Sequence, residues 1–192
     1  MIKIGITGGI GSGKSIVSEL LSKAGIPAYT ADDESKRITD ASPVIKKKLK
    51  SLLGDDIYVN DMIDRKHLAS LIFTDDALLK KVNAIIHPVV RKDFKRWAAK
   101  QSSKRCALES AILFESGFYK EVDVILTVYA PVELRLSRAM QRDGATEADI
   151  MKRMNRQMPD ALKRKQADFV IVNDGVQALI PQIEQFLLRI DN

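Results

Sequence analysis

Residues 2–15, IKIGITGGIGSGKS, decide how the rest of the chain is read. Ile2, Ile4 and Ile6 alternate with Lys3 and Gly5, the period-two pattern of a strand with one face in a core. A glycine-rich loop follows at once. Beyond it Val17, Leu20, Leu21 and Ala24 recur at helical spacing until Gly25 and Pro27 stop the helix. Gly8, Gly13, Lys14 and Ser15 satisfy the pattern G-x-x-x-x-G-K-[ST]. Glycines let the backbone curl so that successive N–H groups point inward, and the following helix aims its positive end at the same point. The spacing therefore predicts a phosphate cradle made by Gly8, Gly9, Gly11, Ser12, Gly13, Lys14, Ser15 and Ile16. Lys14 would bridge the outer phosphates and the Ser15 hydroxyl would hold Mg²⁺. Ile16 stands where threonine is frequent, and its N–H is still expected to reach phosphate.

Outward from this loop, four more apolar runs read as buried strands: IPAYT (26–30), CALES (106–110), VDVILTVYA (122–130) and ADFVIVN (167–173). Helical patterns separate them, so the expected fold is α/β, a parallel five-stranded sheet with helices on both faces and right-handed crossovers. Residues 33–104 offer no convincing strand but several helical patterns, and are read as a helical insertion. Residues 131–166, rich in arginine, are read as a mobile helical lid. The core is then about 1–32, 105–130 and 167–192, all within one domain.

The 192 residues suffice for a substantial core, and 45% hydrophobic with 29% charged residues is the balance of an ordinary globular chain. No apolar run approaches the roughly 20 residues of a membrane span, and MIKIGITGG reaches glycines too soon for a secretory leader. A cytoplasmic protein without a membrane partner is expected. Cys106, the one cysteine, sits in the apolar run CAL and reads as a small core filler. A net charge of +6 favours anionic partners. Few aromatics interleave the basic residues and no nucleic-acid module is recognisable, so small polyphosphates are expected and nucleic acid is not. The run KKKLK (46–50) reads as a solvated helix face.

Arg135, Arg138 and Arg142 share one face of a predicted helix. Like charges so placed cost roughly 0.2–0.5 kcal/mol per pair in an isolated helix, and an anion between them would reverse the sign. Arg153 and Arg156 form a second set with acidic neighbours. Asp32 and Asp33 follow the second strand at the carboxyl edge, where open parallel sheets bind ligands. One is expected to accept a substrate hydroxyl's proton or hold Mg²⁺ through water, and the other to cap the next helix. Glu109 and Glu115 flank the third strand's end with similar claims. His67 reads as a surface side chain, and His87, before Pro88, as part of a helix interruption or a substrate contact.

Taken together, IGITGGIGSGKS, the ADxx segment after strand two, IIHPVV (85–90), AILFESGFY (111–119), LSRAMQRDGAT (136–146), Gln157 closing RMNRQ, and ADFVIVNDG (167–175) resemble the dephospho-CoA kinase family through most of the chain. The resemblance implies a P-loop NTPase fold like that of nucleoside monophosphate kinases. It also implies ATP with Mg²⁺ in the core, dephospho-CoA between core and insertion, and an arginine lid over the phosphates. By that resemblance Lys14, Asp32, Arg138 and Arg142 are catalytic, Asp32 being the base, while Asp33, His87 and Glu115 meet substrate. Thr30 stands where the family has its first aspartate, Ala111 replaces a frequent proline, and Ile16 a frequent threonine. The implied reaction is phosphorylation of the ribose 3′-hydroxyl of dephospho-CoA by a monomer or weak homo-oligomer. The rivals are a nucleoside or shikimate kinase, sharing loop and lid, and a non-catalytic nucleotide switch, against which the lack of an N-K-x-D motif speaks.

Overall fold

Ile4 and Ile6 are fully buried, and the strand that carries them is the middle of a five-stranded sheet. The computed structural model describes residues 1–73 and 75–191. In chain order these form β1 (Ile2–Thr7), α1 (Lys14–Lys23), β2 (Ala28–Thr30), α2 (Ala31–Ala41), α3 (Pro43–Leu53), β3 (Tyr58–Val59), β4 (Met62–Ile63), α4 (Arg65–Phe73) and α5 (Asp76–Ala98). There follow β5 (Arg105–Glu109), β6 (Val124–Tyr129), α6 (Val132–Asp143), α7 (Glu147–Asn155), α8 (Asp160–Gln166), β7 (Phe169–Val172) and α9 (Leu179–Asp191). Two compact units result, Met1–Thr30 with Gln101–Asn192, and Ala31–Lys100.

In the first unit the strand order is β2-β5-β1-β6-β7, every pairing parallel. All five strands fall on the predicted apolar runs, β5 beginning one residue earlier at Arg105. Parallel strands buried on both faces need near-continuous apolar sequence, which is why those runs were legible. Ile4, Ile6, Leu126 and Ile171 pack with Val17 and Leu21 of α1 and Phe186 of α9 in one core. On the other face of β1, a Cβ at Gly5 would stand 2.9 Å from both Leu113 and Val122, so the glycine admits that close approach. Cys106 is buried and unpaired by disulfide, as the filler reading expects. Because the sheet is parallel, the segments after β1, β5, β6 and β7 gather at one edge. There Ser110 N–H donates to Ile6 O at 3.0 Å and Asn173 N–H to Tyr129 O at 2.7 Å.

The second unit is built of α2–α5 and one hairpin. Every fourth residue of α5, from Val82 through Ile86, Val90 and Phe94 to Ala98, is buried. Four expectations are corrected here. First, β3 and β4 pair antiparallel within the segment read as strandless. Asn60 (φ 49°) and Asp61 (φ 66°) make the two-residue turn, a left-handed pair suited to such hairpins, but two-residue strands are too short to show alternation. Second, Pro88 does not interrupt its helix: α5 runs unbroken from Asp76 to Ala98. Pro88 and Ala84 are exposed, so the carbonyl that loses its helical donor can turn to water while the buried stripe holds the helix together. Third, Lys46 of the KKKLK run is not solvated: its side chain is 17% exposed, 2.6 Å from Asp61 and over the Tyr58 ring. Fourth, His67, expected at the surface, is half-buried in α4.

Candidate active site

The loop between β1 and α1 has the cradle's backbone. Gly13 caps α1 at φ 92° without any side-chain cap bond, and the helix's positive end faces the loop. Lys14 is half-buried as the first residue of α1, and Ser15 beside it is exposed. Three loop N–H groups are already engaged. Ile10 donates to Gln157 Oε1 at 2.9 Å, Ser12 to Gly9 O at 3.1 Å and Ile16 to Gly13 O at 3.1 Å. The expected phosphate contact through Ile16 N–H is therefore taken by α1's own first turn. The buried hydroxyls of Thr7 and Ser12 have no hydrogen-bond partner. Left dry, each would cost about 1–3 kcal/mol, so the base of the loop is built for a polar neighbour.

The three arginines of α6 part company. Arg135 is 4% exposed; its Nε donates to Ile10 O at 2.9 Å and its Nη1 pairs with Asp160. Arg138, half-buried, donates to Asn173 O at 3.0 Å, and Asn173 Nδ2 in turn donates to Ser12 O at 2.9 Å, so Arg138 is held beside the loop. Arg142 is exposed and doubly bonded to Asp143, at 2.7 and 3.1 Å, while Arg153 reaches the same carboxylate at 2.6 Å. Hydrogen bonds from Arg142 and Arg153 hold the Asp143 carboxyl far below the usual carboxylate range, and the same bond raises Arg142. The anion expected between stacked arginines is thus, at Arg142, a carboxylate of the chain itself.

Among the acids, Glu109 is buried at the end of β5, paired in register with Thr30. Glu115 accepts Met158 N–H at 2.7 Å and lies 3.3 Å from the fully buried ammonium of Lys163. Lys163 also donates to Ala111 O at 2.7 Å. Its place in the run KRK gave no sign of burial; only the LKRKQAD spacing to β7 could have hinted at it. Asp32, Asp33 and His87 belong to the unit Ala31–Lys100. The capping role expected of Asp32 or Asp33 is corrected: α2 begins at Ala31, so both stand inside its first turn. There carboxylates favour the positive helix end without being the cap. Asp33 is exposed and 2.8 Å from Lys36. His87 is half-buried, and burial, aided by the nearby Arg91 charge, lowers its pKa.

The family model for dephospho-CoA kinase matches residues 2–178. A curated relative, the dephospho-CoA kinase of Bacteroides fragilis strain YCH46, is 48% identical over 190 residues, covering 97% of this chain and 91% of that one. A crystal structure from Thermus thermophilus superposes with a TM-score of 0.88 at 34% identity, covering 98% of this chain and 96% of that one. A dephospho-CoA kinase from Campylobacter jejuni gives 0.66 at 26% identity, covering 98% and 95%. Among the described residues no helix is long and apolar enough to cross a membrane.

Proposed function

The chain belongs to the dephospho-CoA kinase family, and from that premise we propose which of its residues carry the reaction. That reaction is the ATP-dependent phosphorylation of dephospho-CoA in coenzyme A biosynthesis. The acceptor is the ribose 3′-hydroxyl, and the products are coenzyme A and ADP. Transfers of this kind need positioning and charge stabilisation rather than a covalent intermediate.

The loop carries the assignment: an uncapped α1 start, with Lys14 at its first position, at the carboxyl edge of a parallel sheet. Gly8, Gly9, Gly11, Ser12 and Gly13 shape the cradle, and the N–H groups of Lys14 and Ser15 at the start of α1 receive the phosphates. Lys14 meets the outer phosphate oxygens. Arg138, held at the loop by Asn173, and Arg142, once it leaves Asp143, balance the charge on the transferred group. Asp32 takes the proton of the attacking hydroxyl, with Asp33, His87 and Glu115 disposing the substrate. Mg²⁺ fits this donor set, since the Ser15 hydroxyl is exposed beside Lys14 where phosphate oxygens would complete the coordination. When bound it neutralises phosphate charge. Residues 31–100 serve as the unit for dephospho-CoA, residues 131–166 as the lid, and the enzyme acts in the cytoplasm.

The test is ADP release with each candidate acceptor, followed by mass and phosphorus NMR analysis of the product. Release that needs dephospho-CoA and yields a 3′-phosphate supports the reading. Release with shikimate or a nucleoside but not with dephospho-CoA overturns it.

A further inference from the structure

The peptide groups on either side of Ile10, at the crest of the phosphate loop, are held by two side chains from the far end of the same unit. Its N–H donates to Gln157 Oε1 at 2.9 Å and its carbonyl accepts from Arg135 Nε at 2.9 Å. Gln157 stands between α7 and α8, and Arg135 is in α6. The glutamine amide has one orientation that serves both of its contacts, since Nε2 faces Ala111 O at 3.4 Å, which can only accept, and Oε1 faces an N–H, which can only donate. Arg135 is buried against the loop: its guanidinium occupies the place of a Cβ at Gly9, and its backbone that of a Cβ at Gly11. No other side chain than glycine fits at either position with Arg135 where it is. Asp160, the first residue of α8, pairs with Arg135, and a cavity of about 230 Å³ adjoins this group, lined by Val132, Met154 and Met158 among others.

We propose that Gln157 and Arg135 are positioning residues that clamp the Ile10 backbone and hold the phosphate loop in its ligand-shaped form from outside the anion face. A loop this rich in glycine has much backbone freedom to lose when it closes on phosphate. Side chains that fix its crest beforehand remove that cost from nucleotide binding. Both clamps engage the Ile10 N–H and C=O within the chain itself, which separates their role from that of Lys14 and Ser15 at the start of α1. The Ala111 contact extends the clamp: Gln157 and Lys163 share that carbonyl, and Glu115 fixes Met158 next to Gln157. Loop, residues 111–115 and the start of α8 are therefore braced together. The inference rests on the loop's being the ATP site.

The experiment measures ATP affinity in the absence of dephospho-CoA, by displacement of a fluorescent ATP analogue, alongside the nucleotide-free melting temperature. Gln157→Leu keeps the size and loses both bonds; it is expected to weaken ATP about tenfold, the loss of roughly one hydrogen bond's worth of preorganisation. In turnover the loss falls on KM for ATP, with kcat at saturating ATP near wild type, because the groups on the phosphates are untouched. Arg135→Met is expected to do the same, Arg135→Lys to restore part of it, and the double variant to lose less than the product of the singles, because one backbone segment is held by both. ATP affinity within about twofold of wild type in Gln157→Leu overturns the proposal. So does a loss of kcat and melting temperature with KM for ATP unchanged, which marks a purely structural brace. Should Arg135→Met fail to fold, the half-buried Gln157 carries the test. Failure of the activity reading shows separately, as wild-type protein that binds ATP but leaves dephospho-CoA unphosphorylated.

Discussion

Replacing Lys163 by methionine removes a fully buried ammonium from the sheet unit while keeping the length of its stem. Lys163 is 0% exposed, donates to Ala111 O at 2.7 Å and lies 3.3 Å from Glu115. Breaking a buried pair by deleting one partner costs about 3–5 kcal/mol when the remaining charge has nowhere to go. Here the Glu115 side chain is 24% exposed and keeps the Met158 N–H, so its charge is partly served by water and backbone. Ala111 O retains the longer Gln157 contact. We therefore expect a loss of about 2–3 kcal/mol. At about 2–4 °C per kcal/mol for a chain of this size, that is a fall in Tm of about 4–12 °C by calorimetry. Lys163→Met combined with Glu115→Gln, which discharges the stranded carboxylate, should recover part of the fall. A single variant that melts with the wild type, or a double variant that melts lower than the single, refutes the reasoning.

Lys14→Ala should abolish detectable ADP release while calorimetry shows an intact fold, since a side chain serving phosphate supports no core. Asp32→Asn, measured under saturating ATP and dephospho-CoA, should lower kcat by roughly 10²–10⁴. Asp33→Asn, which loses only an exposed pair with Lys36, should do much less, and the opposite ranking would move the base by one residue. Arg138→Ala and Arg142→Ala should each lower kcat; a loss seen only as unfolding would make that arginine structural. The His87 prediction concerns pH. Burial lowers its folded pKa below the unfolded value of about 6.5, so the unfolded chain binds the proton more readily and stability rises with pH in that range. This contribution is full above about pH 7 and is lost as pH falls below about 6.5. The nucleotide-free Tm should drop on acidification through that window, and His87→Gln should shrink the drop.

What the sequence by itself determined are the features written in neighbouring residues. The strand–loop–helix of residues 2–23 follows from alternation, glycine spacing and helical periodicity, and the five sheet strands follow from apolar runs that only a doubly covered parallel sheet requires. The shape of the loop was legible for the same reason: its glycines and Lys14 are near neighbours in the chain. The pairing of side chains was not legible. Arg135, Arg138 and Arg142 are equivalent in spacing, yet one reaches the Ile10 carbonyl 125 residues away, one reaches Asn173 and one stays with its neighbour Asp143. Lys163 stands in the charged run KRK and is buried, and Gln157 shows nothing locally of its bond to the loop 147 residues earlier. Such partners meet only when the sheet brings distant segments to one edge. A side chain's burial and charge state depend on what arrives there, and no local pattern encodes that.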